Sequence, residues 1–109
     1  MGMEINQYSI VLVDLQGSRG TEMAHTRPCV VVSPNEMNRY LQTIVVAPMT
    51  TRARTYPTRV RVRHNRKTGW IVVDQITTID RRKIKRLLGK LTQPEIRKLK
   101  SVIKETYVD

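Results

Sequence analysis

The sequence predicts a mainly β protein of the α+β kind: a small, strongly bent antiparallel sheet or barrel with short helices and one C-terminal helix. Three observations carry this. Short apolar segments rich in β-branched residues recur along the chain, each ended by Gly, Pro or a polar break. Within the segment 58–63, Arg59 to Arg63 alternate strictly between arginine and valine. Helical spacing appears clearly only near the end, after Thr92. Many short strands with one terminal helix favour a sheet that bends to bury its own face.

In chain order, residues 8–15 form a first strand, with Asp14 exposed near its end. Gln16-Gly17-Ser18-Arg19-Gly20 breaks it and opens a connection that runs to Arg27. A loop of that length in a small domain is usually functional or disordered. Cys29-Val30-Val31-Val32 is a second strand, apolar throughout and so covered on both faces. Residues 33–36 turn and start a short helix through Asn38. Residues 43–47 are a third strand, closed by Pro48, and residues 49–57 a polar, basic loop. In residues 58–63 the alternation turns Val60 and Val62 inward and Arg59, Arg61 and Arg63 outward. The three arginines suit either a phosphate track or an exposed strand whose charges block edge-to-edge pairing. Residues 64–69 connect a hairpin, residues 70–73 are its second strand, and residues 76–79 a further short one. Asp80 caps a helical turn over residues 81–83. Thr92 opens a capping box with Glu95 three residues on and Pro94 in the first turn. Ile96, Leu99, Val102 and Ile103 then share one helix face.

The chain has 109 residues and a formal net charge of +11. That length fits one domain, residues 1–109. No apolar run approaches the roughly 20 residues that span a bilayer, and residues 1–7 lack the apolar core of a secretory signal. The single cysteine, Cys29, excludes an internal disulfide. These features point to a cytoplasmic protein without a membrane partner. Residues 1–50 hold three arginines against four carboxylates, so the whole positive excess lies in residues 51–109. Such asymmetry points to a polyanion, nucleic acid first and an acidic protein second, or to a solvated basic surface alone.

Most catalytic sets are missing. One Cys and two His cannot build a zinc finger or ribbon. There is no phosphate-binding Walker loop and no dinucleotide-binding glycine pattern. Nothing in the sequence brings His25 and His64 together as an acid–base pair. What remains is a metal-free, cofactor-free set of Arg27, the Thr50-Thr51 hydroxyls and Asp74. RNA suits such a set, because its 2′-hydroxyl is a built-in nucleophile beside the phosphate. Arginine can fork onto two phosphate oxygens, threonine can donate to another, and a carboxylate can accept the 2′ proton.

The chain resembles the MazF/PemK (Kid) family of toxin endoribonucleases. The resemblance runs from about residue 10 to 103. It is carried by Val11-Leu12-Val13-Asp14-Leu15, Gly20-Thr21-Glu22, and Arg27-Pro28-Cys29-Val30-Val31-Val32-Ser33-Pro34. It continues with Asn38, Val46-Ala47-Pro48-Met49-Thr50-Thr51, Tyr56-Pro57 and Val73-Asp74-Gln75-Ile76-Thr77-Thr78-Ile79-Asp80. It implies an SH3-like barrel working as a homodimer. It also implies sequence-specific, metal-independent cleavage of single-stranded RNA, usually mRNA, leaving 2′,3′-cyclic phosphate and 5′-hydroxyl ends. A cognate acidic antitoxin that blocks the RNA groove is implied as well. Arg27, Thr50 and Asp74 match the family's catalytic positions. Thr21, Glu22, His25, Thr51, Arg52, Arg54, Arg59, Arg61, Arg81 and Arg82 are the residues expected to contact RNA around them. The chain departs from the family at Tyr8-Ser9, where many members have Gly-Asp, at Thr21, where serine or histidine is usual, and at Val72, where some carry a second arginine. Other readings of the same residues are a non-catalytic nucleic-acid-binding barrel, a module that only docks an acidic antitoxin tail, and a gyrase-inhibiting toxin of similar fold.

Overall fold

The computed structural model describes residues 4–15, 26–52 and 56–108. Among these described residues, seven strands and two α-helices follow in order: β1 (Ser9–Asp14), β2 (Thr26–Val31), α1 (Asn35–Tyr40), β3 (Thr43–Thr50), β4 (Arg59–His64), β5 (Lys67–Val72), β6 (Thr77–Asp80), β7 (Ile84–Lys90) and α2 (Gln93–Ile103). Short 3-10 turns occupy Val73–Gln75 and Arg81–Lys83, and a wider helical turn, Lys104–Val108, extends α2. All pairings are antiparallel, in the order β4-β5-β3-β2-β1-β7, with β6 also on β3. The observed architecture is the curled antiparallel sheet and C-terminal helix that the sequence predicts.

The β1–β2–β3 centre is buried on both faces, as the unbroken apolar run in β2 requires. Ile10, Val30 and Ala47 stand in register and pack with Leu99 and Val102 of α2. The alternate residues Val11, Val13, Cys29, Val31 and Val46 pack on the opposite face with Ile5, Ile44 and Ile84. Each fully buried valine or isoleucine contributes about 1.5–3 kcal/mol, so both faces anchor β2 firmly.

β3 reaches past its expected end. It pairs with β2 through Pro48 and with β6 through residues 43–46, then passes to β5 at Met49 and Thr50. A proline lacks the N–H that a ladder needs, and the β2 ladder ends at Pro48. Thr50 is therefore the last residue of a strand rather than part of a loop. β2 likewise begins at Thr26, which takes Arg27 into the strand.

β4 and β5 form a hairpin around Asn65 and Arg66, whose φ angles of 53° and 65° both lie in the left-handed region. A two-residue turn of that shape matches the twist of the flanking strands. Lys67 and Thr68, expected in the connection, belong to β5. Val60 and Val62 face the core and Arg61 and Arg63 face solvent, but Arg59 is mostly enclosed.

β4 and β7 are the two ends of the sheet, and they meet at His64 and Gly89. A Cβ on Gly89 would lie 2.7 Å from His64 Cε1. The imidazole edge thus comes close to the β7 backbone at Gly89, and a larger residue there would push the ring aside. Both arms of the Thr92 capping box form: Thr92 N–H donates to Glu95 Oε1 at 2.9 Å and Glu95 N–H donates to Thr92 Oγ1 at 3.3 Å. The second oxygen, Glu95 Oε2, accepts from the Arg63 N–H at 2.9 Å and ties the start of α2 to β4.

Candidate active site

The β2–β3 register pairs Cys29 with Pro48. Continued by two residues, it would set Arg27 opposite Thr50. The ladder stops before that point, and a cavity of about 420 Å³ opens there. Arg27 from β2, Thr50 and Thr51 from the end of β3, and His64 and Lys67 from the hairpin share its wall. Pro28, Met49 and Leu88 give it an apolar side. Arg27 is exposed while its neighbour Cys29 is fully buried. The guanidinium thus projects from a fixed backbone into open space. Gly69 brings β5 against the end of β3: a Cβ there would stand 3.2 Å from the Thr50 carbonyl oxygen. Thr50 Oγ1 accepts from the Arg52 N–H at 3.2 Å, which turns the chain at the cavity mouth. One concavity therefore offers a guanidinium, several threonine hydroxyls, an imidazole and an ammonium beside an apolar wall. That set suits a phosphodiester with its sugar or base.

Asp74 stands elsewhere. It lies in the turn after β5 and is not part of the cavity wall. Thr58 Oγ1 donates to Asp74 Oδ1 at 2.9 Å, and Arg59 Nε lies 3.5 Å from the same oxygen. The Arg59 guanidinium also sits over the Tyr56 ring at 5.0 Å. Partial burial pushes the Asp74 carboxyl up, but the Thr58 hydroxyl, its own backbone N–H and Arg59 together draw it below the usual range. Arg59 and His64 are the two ends of β4. Five residue steps of strand separate them, roughly 17 Å at the usual rise. Within one chain, then, Arg27, Thr50 and Thr51 come together and Asp74 stays with Arg59.

The remaining expected RNA contacts divide. Arg52 and Arg61 are exposed. Arg59 is held by Asp74 and Tyr56, with a side chain only 12% exposed. Arg81 donates to the carbonyl oxygens of Asn38 and Leu41, closing the end of α1. Arg82 forks onto Asp80, with Nε at 3.0 Å from Oδ1 and Nη2 at 2.9 Å from Oδ2. That fork, with the Arg82 N–H, holds the Asp80 carboxyl far below its ordinary range. Both arginines brace the corner between β6 and β7 and are absent from the cavity wall. Thr21, Glu22, His25 and Arg54 lie outside the described residues.

His64 and Lys67 are cavity residues outside the expected set; the sequence offers His64 only as an acid–base partner of His25, which lies outside the described residues. The signal for His64 was present. It continues the inward positions of Val60 and Val62 by one more step of two, so alternation already turned it from the arginine face.

Residues 6–107 match the model of a family described as PemK-like, MazF-like toxin of type II toxin–antitoxin system. The chain belongs to this family. An Endoribonuclease MazF from Staphylococcus saprophyticus is 28% identical over 100 residues, which cover 86% of this chain and 83% of the relative. Among solved structures, an endoribonuclease in complex with its cognate antitoxin from Mycobacterial species superposes with a TM-score of 0.79 at 25% identity, covering 93% and 92% of the two chains. A MazE–MazF structure from Deinococcus radiodurans gives a TM-score of 0.83 at 20% identity over 96% of each chain, a likeness of fold. The PemK/MazF-like barrel is thus the frame on which the Arg27–Thr50 cavity is built.

Proposed function

We propose that this chain is an endoribonuclease toxin that cuts single-stranded RNA, with mRNA as the cellular substrate, and so arrests translation and growth. The observation that carries this is the convergence of Arg27 and Thr50 on one cavity at the point where β2 and β3 part. The endoribonuclease name of the Staphylococcus saprophyticus relative supports it. RNA lies with its scissile phosphate against Arg27. The 2′-oxygen attacks phosphorus, the bond to the 5′-oxygen breaks, and the products carry a 2′,3′-cyclic phosphate and a 5′-hydroxyl. No cofactor enters the scheme. Arg27 acts as an electrostatic clamp on charge that grows at the phosphoryl oxygens, since a guanidinium gives up a proton too reluctantly to be the acid. Thr50 donates to a further oxygen. The protein works as a homodimer in the cytoplasm and recognises a short RNA sequence. A cognate acidic antitoxin restrains it, as the antitoxin complex of the Mycobacterial relative suggests. A basic chain of net charge +11 favours an acidic peptide that orders on binding.

The test is incubation of the purified protein with mixed-sequence RNA in EDTA, with end-group analysis of the fragments. Wild type cuts, leaving cyclic phosphate and 5′-hydroxyl ends. Arg27→Ala lowers the rate by about 10²–10³-fold, the usual cost of one oxyanion donor. RNA that is bound but left whole would overturn the enzyme reading in favour of a binding barrel.

A further inference from the structure

We propose that His64 is a further catalytic residue, the group that accepts the 2′-hydroxyl proton as that oxygen attacks the phosphate. The inference rests on the endoribonuclease reading and adds the proton acceptor to it. Three observations lead there. His64 shares the cavity wall with Arg27 and Thr50. Its ring packs close against Gly89, where an added Cβ would lie 2.7 Å from Cε1. Its Nε2 is buried and has no hydrogen-bond partner among the described residues. A histidine that is purely structural usually spends its ring nitrogens on the protein, because a buried polar atom left unmet costs about 1–3 kcal/mol. Here Nε2 is enclosed and unpartnered beside the cavity, and it meets the 2′-hydroxyl once the imidazole turns that nitrogen into the cavity.

The alternative acceptor is poorly placed. Asp74 lies at the far end of β4 from the cavity, and its carboxylate is occupied by Thr58 and Arg59. Those contacts make it a weaker base, since the proton must compete with a hydroxyl and a cation. Imidazole, by contrast, is the side chain that exchanges protons most readily near neutrality. The charged groups around His64 are Lys67, its register partner on β5, Arg27 across the cavity, and Glu95 of α2, which is bonded to the adjoining Arg63 backbone. On β7 its direct contact is the uncharged Gly89.

The step balances simply. The O2′–P bond forms and the P–O5′ bond breaks. The 2′ proton passes to the imidazole, and the departing 5′-oxygen takes a proton from water. The imidazolium returns its proton to solvent before the next turnover. Arg27 remains protonated throughout and meets the negative charge on the phosphoryl oxygens.

The experiment is single-turnover cleavage by wild type and His64→Gln on two substrates. One is ordinary RNA. The other carries sulfur in place of the 5′-bridging oxygen, so its leaving group needs no proton. Binding of a 2′-deoxy analogue and thermal melting are measured alongside. The expected result is a loss of about 100-fold or more on both substrates, with analogue binding unchanged. A rate within about threefold of wild type, the scatter of an ordinary surface substitution, would overturn the proposal. Loss on ordinary RNA that vanishes with the sulfur substrate would also overturn it, because the missing group would then be an acid. Should His64→Gln fail to fold, the pH profile of wild-type kcat/KM decides. An acidic limb breaking between about pH 5 and 8 on both substrates supports a histidine base. A rate that climbs through that range without a break rejects it. Wild type that cuts neither substrate would instead sink the endoribonuclease reading itself.

Discussion

Arg27 and Cys29 stand two residues apart on one side of β2, yet their surroundings differ completely. Cys29 is enclosed between β1 and β3, and Arg27 emerges where that packing ends. Burial pushes the Cys29 thiol up to about 12, only partly offset by the nearby Arg27 charge. A thiol so placed is inert as a nucleophile. The sign of its linkage follows from the shift. Between the unfolded value near 9.0 and the folded value of about 12, the folded chain keeps a proton that the unfolded chain loses. Its contribution to stability is therefore whole below the lower value and is lost as pH rises through this window. Denaturant unfolding at a series of alkaline pH values should show wild type losing stability faster than Cys29→Ala. At pH values below that window, a thiol reagent should label the protein only after it unfolds. Rapid labelling of the native protein would show that Cys29 is open to solvent.

At the level of elements, legibility followed how local the determining contacts are. The start of α2 is written in four consecutive residues, and both arms of its capping box form where expected. Thr92→Ala should cost about 1 kcal/mol, the usual loss for an N-cap. Glu95→Ala should cost more, because Glu95 also holds the Arg63 N–H of β4. Urea denaturation of the two variants checks the order; equal losses would mean that the contact to β4 contributes nothing. β7 went unread for an opposite reason. It pairs with β1 through register shifts between Ile10 and Val11 and between Leu12 and Val13. Such irregularities break the two-residue period on which a strand is recognised. Ile84-Lys85-Arg86-Leu87-Leu88 accordingly shows no alternation. The site was legible in part. Arg27 and Thr50 were visible as residue types in order, but their meeting depends on β3 running through Pro48 to Thr50. The place of Asp74 beside Arg59 depends on hairpin register, which sequence spacing does not supply.

Across the whole molecule, the positive excess of residues 51–109 is divided between structural and free charge. Arg59, Arg81 and Arg82 are tied down by Asp74, by carbonyl groups of residues 38 and 41, and by Asp80. Arg61 and Arg63 instead stand exposed on β4, the strand that ends at the cavity. If RNA runs along this edge, only the exposed pair should release counterions on binding. Each phosphate neutralised contributes about 0.7 to the slope of log affinity against log salt for a single strand. Arg61→Ala and Arg63→Ala should each flatten that slope by about this amount when binding of a 2′-deoxy analogue is titrated across salt concentrations. Arg82→Ala should leave the slope nearly unchanged, because Asp80 already meets its charge in the free protein. Equal changes for all three variants would mean that RNA senses the net charge of the molecule and follows no path along β4.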